Sequence, residues 1–591
     1  MLRALLISGL LFSAPAFADD AEDFQSLIDD FQTHESRDDP EENPDAAGRW
    51  GDLSPERYAE DRAADVVFLE RLEAIEEDNL PEEQIVNFAT LDYLLRFRVE
   101  LAQYDTQRAP FSNDSGFFST PLYVASSTRP SNVEEAEHWI ARIEDLPRYL
   151  NENIYWMRQG IEAGYTQPAN IIGGVRDQIA AIAAMSVEDT GFLGPINALP
   201  ATVSQAERDR LMADATTAIE DVALPGYADL LTFMDEEYVP AAREELGISS
   251  VPNGRAQYQA LVRYHTTLDT SPEEVHQRGL AEVARIRGLM EEIIEEVEFE
   301  GTFAEFLNFM RTDPQFYAES EQELMMYASW LAKRADDAMP RFFGRLPRLS
   351  YGVRPVPASI APTYTTGRYW PGSLENGVAG GYMVNTYNLA QRPLYNLPAL
   401  TVHEAVPGHH HQGALAQELE DVPEFRRNTY ITAFGEGWGL YTEFLAEEMG
   451  MYSTPYDQFG RLTYEMWRAC RLVVDTGIHY MDWTRDQAEA CFLENSALAP
   501  HNIRTEVSRY ISWPGQALAY KTGELLMRDL RGRAEERLGA HFDIRDFHDE
   551  LLSEGSVPLG YLEDRTEAWI DATLAAAEAE DDEDEADSAE D

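Results

Sequence analysis

Long stretches of the chain place apolar residues three or four positions apart, which is the spacing of one face of an α-helix. In the segment SPEEVHQRGLAEV, Ser271 is a typical N-cap, Pro272 suits the first helical position, and Glu274 completes a capping box. Similar periodic segments cover residues 54–75, 133–163, 205–245, 320–340, 425–449 and 457–480. The pattern predicts a mainly α protein.

One region departs from this pattern. Residues 350–390 are rich in Tyr, Thr, Gly and Pro, and GGYMVNTYN alternates in the manner of a short β-strand. We expect a small β element here, beside the histidine-rich segment that follows it.

The ends of the 591-residue chain differ from its middle. Arg3, the apolar run 4–12 and the small-x-small pattern Ala-Phe-Ala predict a signal peptide at 1–18, so we expect a periplasmic or secreted protein. No later apolar run is long enough to predict membrane insertion. We divide the rest into an N-terminal helical region (19–270), a catalytic region (271–577) and a disordered acidic tail (578–591).

Charge and cysteine content narrow the possible partners. The chain has 107 acidic and 46 basic residues, which argues against a nucleic-acid partner and favours a soluble surface in a salty exterior. Cys470 and Cys491 are the two cysteines, and the sequence leaves open whether they form one disulfide or remain buried thiols. Oligomeric state is also left open.

The segment HEAVPGHHH, residues 403–411, holds four of the twelve histidines. It resembles H-E-x-x-H, in which two histidines four apart bind one zinc ion, except that Pro407 occupies the fourth position after His403. In an unbroken helix His410 would share the face of His403, but about 10 Å along the axis separates them. A looped-out Pro-Gly pair would instead bring His409 beside His403, with His410 as the alternative ligand.

A third ligand is needed if a coordination position is to remain open for water. In AFGEGWGLYTE, Glu436 lies between glycines that allow the backbone to approach the first metal helix closely, and we predict it as the third ligand. Glu443, seven residues later, could orient a histidine from behind. Glu404 adjoins the first ligand and is predicted to act as the general base towards water at one Zn²⁺ ion, although Mn, Co and Fe also suit this donor set.

Four motifs in the same order carry a resemblance to a known family: HEAVPGHHHQ, AFGEGWGLYTE, RLVVDTGIHYMDWT and SRYISWPGQALAYKTGE. Nearly the whole mature chain resembles a bacterial family catalogued as a domain of unknown function and grouped with the zincin-like metallopeptidases. The resemblance implies a large helical zincin fold related to the oligopeptidases and carboxypeptidases, with a zinc site formed by His403, His409 and Glu436.

The shared motifs also suggest residues around the metal. His479, one turn after Asp475, and Tyr510 are candidates to stabilise an oxyanion; the alternative for His479 is a core histidine satisfied by Asp475. Arg509 or Lys521 is predicted to bind a substrate carboxylate, with Tyr520 as a further hydrogen-bond donor. Tyr382 and Asn385 are predicted to lie on an edge strand that pairs with a peptide substrate.

Three classes of function fit these features. The first is an exported zinc peptidase acting on short peptides. The second is a zinc amidase or deacylase acting on cell-wall or modified amino-acid substrates, and the third is a metal-binding protein without turnover. Substrate length and the choice between exo- and endo-cleavage are left open.

Overall fold

The computed structural model describes residues 17–590, except residues 40–42, 44, 45, 359 and 363. The predicted signal peptide lies outside the described residues apart from its last two positions, whose backbone begins the first helix. The last helix continues to Glu590, so the backbone of the acidic tail is helical where we expected disorder. Glu and Ala favour helix strongly, which accounts for helix in an acidic run.

Helices account for most of the chain, as the periodicity predicts. The helices before residue 270 are α1 (Phe17–Glu35), α2 (Pro55–Glu73), α3 (Glu82–Leu101), α4 (Thr120–Ser127), α5 (Val133–Ala163), α6 (Ala169–Ala183), α7 (Gly194–Asn197), α8 (Gln205–Ala218), α9 (Leu224–Phe233) and α10 (Gly254–Thr266). Two π-helical segments, Ile219–Ala223 and Met234–Tyr238, flank α9.

The remaining helices carry the histidine-rich motif and its surroundings. They are α11 (Pro272–Glu296), α12 (Phe303–Thr312), α13 (Glu321–Ala338), α14 (Leu397–Glu404), α15 (His409–Ala416), α16 (Glu424–Arg427), α17 (Thr432–Leu445), α18 (Pro455–Tyr480), α19 (Arg485–Asn495), α20 (Pro500–Ser512), α21 (Ala519–Leu538), α22 (Ile544–Leu552) and α23 (Leu559–Glu590).

A small mixed sheet lies beside α14 and consists of β1 (Tyr351–Pro355), β2 (Gly367–Trp370) and β3 (Gly380–Val384). The strand order is β1-β3-β2, with β3 parallel to β1 and antiparallel to β2. The segment GGYMV is therefore the central strand, and β2 forms an edge of the sheet. The prediction of a small β element beside the metal helix is confirmed, whereas the prediction that GGYMVNT is an edge strand is wrong.

Among the described residues, two apolar cores are much larger than the others. One lies in the first half of the chain, mainly among α5, α6, α8 and α9, and the larger one extends from α11 through the histidine-rich helices to α23. α18 runs through the larger core and is buried along nearly its whole length. Cys470 on α18 and Cys491 on α19 are free thiols whose sulfur atoms lie 2.7 Å apart. The boundary at residue 270 stays a prediction.

Among the described residues, no helix combines the length and the apolar character needed to cross a bilayer.

The start of α11 provides a direct test of how the sequence sets helix boundaries. Ser271 accepts a hydrogen bond from the backbone N–H of Glu274, and the Glu274 carboxylate accepts one from the Ser271 N–H, which confirms the predicted capping box. We expect Ser271→Ala to lower the free energy of unfolding by about 1 kcal/mol. Ser329→Ala, on the exposed face of α13, is the control and is expected to change it by less than about 0.5 kcal/mol in urea denaturation. Equal effects of the two substitutions would contradict the capping role.

Candidate metal centre

The histidine-rich motif does not form one bulged helix; the helix is interrupted. α14 ends at Glu404 and α15 begins at His409, with a four-residue turn between them. A Cβ atom at Gly408 would lie 1.9 Å from the carbonyl oxygen of His403, so only glycine fits at this position. Pro407 lacks an N–H group, so it cannot continue the helical hydrogen bonding, and the chain is free to turn here.

The turn places His409 opposite His403, and Glu436 on α17 faces both. The Nε2 atoms of His403 and His409 each lie 3.5 Å from Oε2 of Glu436. Each residue contributes one donor atom, and these three atoms lie within 4.8 Å of one another. The two imidazole rings are perpendicular. Two imidazole nitrogens and one carboxylate oxygen form a donor set suited to a divalent transition metal. This buried group could therefore bind a metal ion.

Glu443 lies behind the first histidine. Its Oε1 atom is 2.9 Å from Nδ1 of His403, and only 2% of the Glu443 side chain is exposed. This contact fixes the imidazole ring with Nε2 directed towards Glu436, the arrangement expected of a carboxylate that orients a metal ligand. Burial lowers the pKa of His403, but the carboxylates of Glu436 and Glu443 outweigh it and raise the pKa to about 10.

Three alternate glycines in GEGWG create the space that this arrangement needs. A Cβ atom at Gly439 would lie 2.7–3.0 Å from three atoms of the His403 ring, so the absence of a side chain lets that ring pack against α17. The indole N–H of Trp438 donates to the carbonyl oxygen of Pro407 at 2.8 Å and ties α17 to the turn. α17 therefore supplies a ligand, makes room for another, and holds the turn that presents the third.

The other two glycines admit different neighbours. At Gly435 a Cβ atom would lie 2.1 Å from the hydroxyl oxygen of Tyr430, and at Gly437 it would lie 2.6 Å from Cα of Gly523 on α21. The glycines beside Glu436 were predicted to admit the first metal helix. That prediction is wrong for both, because they admit a tyrosine and the backbone of α21, and Gly439 has the predicted role.

Glu404 lies at the end of α14, next to the edge strand. The backbone N–H of Tyr369, on β2, donates to Oε2 of Glu404 at 2.7 Å. The residue is 8% exposed, and its position directly after His403 holds it beside the metal-binding group. Its carboxylate is thus fixed at the junction of the sheet edge and the candidate metal centre.

Comparison with known families assigns the chain to one of them. The sequence profile of a family described as "Bacterial protein of unknown function (DUF885)" matches residues 39–566. The chain belongs to this family. No curated protein matches it.

Two solved structures have an architecture similar to that of this chain. A protein of Colwellia psychrerythraea, provisionally named a lipoprotein, is 28% identical with a TM-score of 0.82 over 89% of this chain and 93% of its own. A protein of Shewanella oneidensis, provisionally named a lipoprotein of unknown function, is 17% identical with a TM-score of 0.71 over 93% of this chain and 99% of its own. The second shows a common fold alone.

Several residues that the sequence analysis proposed as metal ligands or substrate contacts bind other groups in the structure. His410, the alternative ligand, is buried, with Nδ1 3.1 Å from the Tyr369 hydroxyl and Nε2 3.0 Å from the carbonyl oxygen of Leu349. Both nitrogens are occupied, so the alternative is wrong. His411 is also buried, against the ring of Phe343.

His479 is a core histidine. Its Nδ1 atom accepts from the backbone N–H of Ile248 at 3.1 Å, and its Nε2 atom donates to the carbonyl oxygen of Tyr510 at 2.9 Å. The predicted oxyanion role is wrong because neither nitrogen is free. The predicted partner is also wrong, since Asp475 accepts instead from Tyr258 and the N–H of Gly515.

Tyr510 and Lys521 are likewise engaged. The Tyr510 hydroxyl donates to Glu506 at 2.8 Å and accepts from Trp467 and Arg471, each at 2.9 Å, so its proton is not available to an oxyanion. Lys521 has no exposed surface and forms ion pairs of 2.7–3.1 Å with three carboxylates, those of Glu282, Glu465 and Glu524. Neither predicted role is compatible with these contacts.

The two residues predicted on an edge strand are structural. Tyr382 is fully buried in the central strand, and its hydroxyl accepts from Thr401 on α14 at 3.3 Å. Asn385 is fully buried, and its amide donates to the carbonyl oxygens of residues 361, 364 and 365. Both predictions of substrate contact are wrong, because the strand order places these residues inside the sheet and its adjoining turn.

Arg509 and Tyr520 remain candidates, and the structure adds three residues. Nη2 of Arg509 lies 3.4 Å from the Tyr520 hydroxyl. Tyr430 packs its hydroxyl end against Gly435 although 58% of its surface is exposed. Loss of solvent around this hydroxyl raises the pKa of Tyr430, Glu436, Tyr520 and Glu404 raise it further, and Arg368 lowers it.

Tyr430, Arg368 and Arg471 were missed by the sequence reasoning. Tyr430 is part of the TYITAFGEGWG segment, so its place beside the glutamate motif was the available signal. Arg368 on β2 and Arg471 on α18 carry no local signal, because only the packing of distant segments brings them near this site.

The space left by Gly439 gives a prediction about metal affinity. We expect Gly439→Ala to weaken divalent-metal binding by about 10- to 100-fold, because the new methyl group displaces the His403 ring without removing a ligand. Zinc binding is measured by competition with a chromophoric chelator. Gly288→Ala on α11, where a Cβ atom meets nothing within 4 Å, is the control. Unchanged affinity in Gly439→Ala would contradict the described packing.

Asp475 gives a prediction about pH. Burial raises the pKa of this carboxyl to about 7, against the lowering effect of its hydrogen bonds from Tyr258 and Gly515. The folded state therefore keeps a proton that the unfolded chain releases near pH 4. The free energy of unfolding consequently falls as pH rises from about 4 to 7, by about 1.4 kcal/mol for each unit of difference between the folded and unfolded pKa. Asp475→Asn removes this titration. In urea denaturation at pH 5 and pH 8, the wild type should lose more stability than the variant, and parallel losses would contradict the assignment.

Proposed function

We propose that this DUF885 protein is an exported zinc-dependent metallopeptidase that hydrolyses short peptides. The observation that carries the proposal is the meeting of His403, His409 and Glu436 at one point, with the carboxylate of Glu404 close enough to interact electrostatically with His403. Two histidines and a glutamate leave a coordination position for water, and a nearby carboxylate serves as the base, as in zinc peptidases of the zincin class.

A divalent metal ion held by these three residues would supply Lewis acidity, which polarises a carbonyl group and makes water more acidic. Glu404 then accepts a proton from the attacking water and passes it to the leaving amine. The hydrogen bond from the Tyr369 N–H holds Oε2 of Glu404 in place for this transfer. Glu443 keeps the His403 ring oriented through Nδ1.

The edge of the small sheet supports the binding of an extended substrate strand. β2 is the edge of the sheet, and the N–H of Tyr369 points outward from that edge to Glu404. An extended peptide that pairs with this edge would pass directly by the base. β2 therefore takes the role that the sequence analysis gave to the strand of Tyr382.

Export is part of the proposal. The first 18 residues have the pattern of a signal peptide, and two relatives of similar fold are provisionally named lipoproteins. We infer a periplasmic or secreted location and short peptides or related amides as substrates.

The proposal is tested by Glu404→Gln. We expect this variant to retain zinc and to lose peptide hydrolysis by about 10²- to 10⁴-fold, because it removes the base and none of the ligands. The assay is digestion of a mixed peptide library read by mass spectrometry, with zinc content measured on the same preparation.

Glu443→Gln is the matched carboxylate control. It removes the contact behind His403 and is expected to weaken zinc binding by about 10- to 100-fold. Turnover should return when zinc is in excess. Release of acyl groups with all peptides intact would favour an amidase or deacylase, and an unchanged rate in Glu404→Gln would refute the assigned base.

A further inference from the structure

Two arginines, Arg471, which is buried, and Arg509, which is partly exposed, share one carboxylate. Arg471 on α18 has Nη2 3.2 Å from Glu506, and Arg509 on α20 has Nη1 3.5 Å from the same oxygen. That oxygen also accepts from the Tyr510 hydroxyl. Arg509 and Arg471 hold the pKa of Glu506 below its ordinary value, although burial raises it. The cluster thus carries two positive charges against one negative charge.

The Arg471 guanidinium packs against two aromatic rings, but one of its nitrogens lacks a hydrogen-bond partner among the described residues. The Arg471 guanidinium lies 4.2 Å from the ring centre of Tyr520 and 4.6 Å from that of Trp467, and 3% of the side chain is exposed. Among the described residues, Nη1 of Arg471 has no hydrogen-bond partner. A buried donor of a charged group without a partner is costly, and a carboxylate is the group that best satisfies it.

The neighbouring Arg509 is the accessible member. Its side chain is 20% exposed, and Nη2 reaches the Tyr520 hydroxyl at 3.4 Å and the amide oxygen of Gln516. Asp475 interacts electrostatically with Arg509, but burial raises the pKa of its carboxyl to about 7, so at neutral pH it offsets the positive charge only in part.

The cluster lies next to the metal centre. Tyr520 precedes Gly523 by one turn of α21, and Gly523 packs against Gly437, the neighbour of Glu436. Tyr520 and Glu436 also both act on the hydroxyl of Tyr430. An unbalanced positive cluster at this place is unusual in a chain with a net charge of −61. A negatively charged part of the substrate would complete it.

We propose that Arg509 and Arg471, with the Tyr520 hydroxyl, bind a carboxylate of the peptide substrate. This inference rests on the proposed peptidase function and deepens it, because it names the group that fixes the substrate. The carboxylate belongs to the C-terminus of the peptide or to an acidic side chain. A C-terminal carboxylate would make the protein a carboxypeptidase or a dipeptidase.

The test uses the zinc-loaded full chain carrying Glu404→Gln, so that peptides bind without turnover. Acetyl-Ala-Ala-Ala with a free carboxylate, the same peptide as its amide, and acetyl-Ala-Glu-Ala-amide are titrated by calorimetry. We expect one of the two carboxylate-bearing peptides to bind about 10- to 100-fold more tightly than acetyl-Ala-Ala-Ala-amide. The peptide that binds more tightly shows whether the site takes a C-terminal carboxylate or an acidic side chain.

Arg509→Gln, added to the same protein, should remove this preference and leave binding of acetyl-Ala-Ala-Ala-amide unchanged. Arg504→Gln, exposed on the same helix, is the control and should leave the preference intact. Equal binding of all three peptides, or a preference that survives Arg509→Gln, would overturn the proposal. The three peptides are first compared on the Glu404→Gln protein with both arginines intact. If Arg509→Gln misfolds, that comparison alone still shows whether the protein prefers a carboxylate.

Failure of the two proposals can be told apart. Cleavage of peptides by the wild type, with no preference for a carboxylate, would retain the peptidase and overturn the arginine site. An Arg509-dependent preference in a protein that cleaves no peptide would retain the arginine site and overturn the peptidase.

Discussion

The turn at residues 405–408 is the constraint on which the candidate site depends. Without it, His409 would lie about 9 Å along the helix axis from His403, too far for two ligands of one ion. A glycine at 408 is required because any side chain would collide with the carbonyl oxygen of His403. The indole of Trp438 then holds the turn through the carbonyl of Pro407. A helix that ends and restarts thus brings two histidines together, as the four-residue spacing does in H-E-x-x-H.

α17 is the second half of the same construction. Gly439 makes room for the His403 ring, Gly437 admits the backbone of α21, and Glu436 directly precedes Gly437. The close approach of α21 brings Tyr520 and the arginine cluster to the metal centre. The same small residues that let His403, His409 and Glu436 come together therefore also decide which side chains surround the candidate metal centre.

Local patterns in the sequence predicted most helices and the three residues that come together as a candidate metal site. The capping box at Ser271 and Glu274 depends on four adjacent residues, and His403, His409 and Glu436 were found because each lies in a short motif. Residues whose role depends on distant segments were misread. Lys521 meets Glu282 and Glu465 from other helices, and His479 bonds to the backbone of Ile248, over 200 residues away. Strand order likewise decides that Tyr382 is buried, and no local pattern encodes that order.

The central claim is that His403, His409 and Glu436 hold one metal ion together. The most direct measurement is a crystal structure of the zinc-loaded protein with anomalous data collected at the zinc edge. The account predicts a single strong peak about 2.0–2.2 Å from Nε2 of both histidines and from an oxygen of Glu436. A peak at another position, or ordered side chains of these three residues around a site that stays empty at saturating zinc, would contradict it.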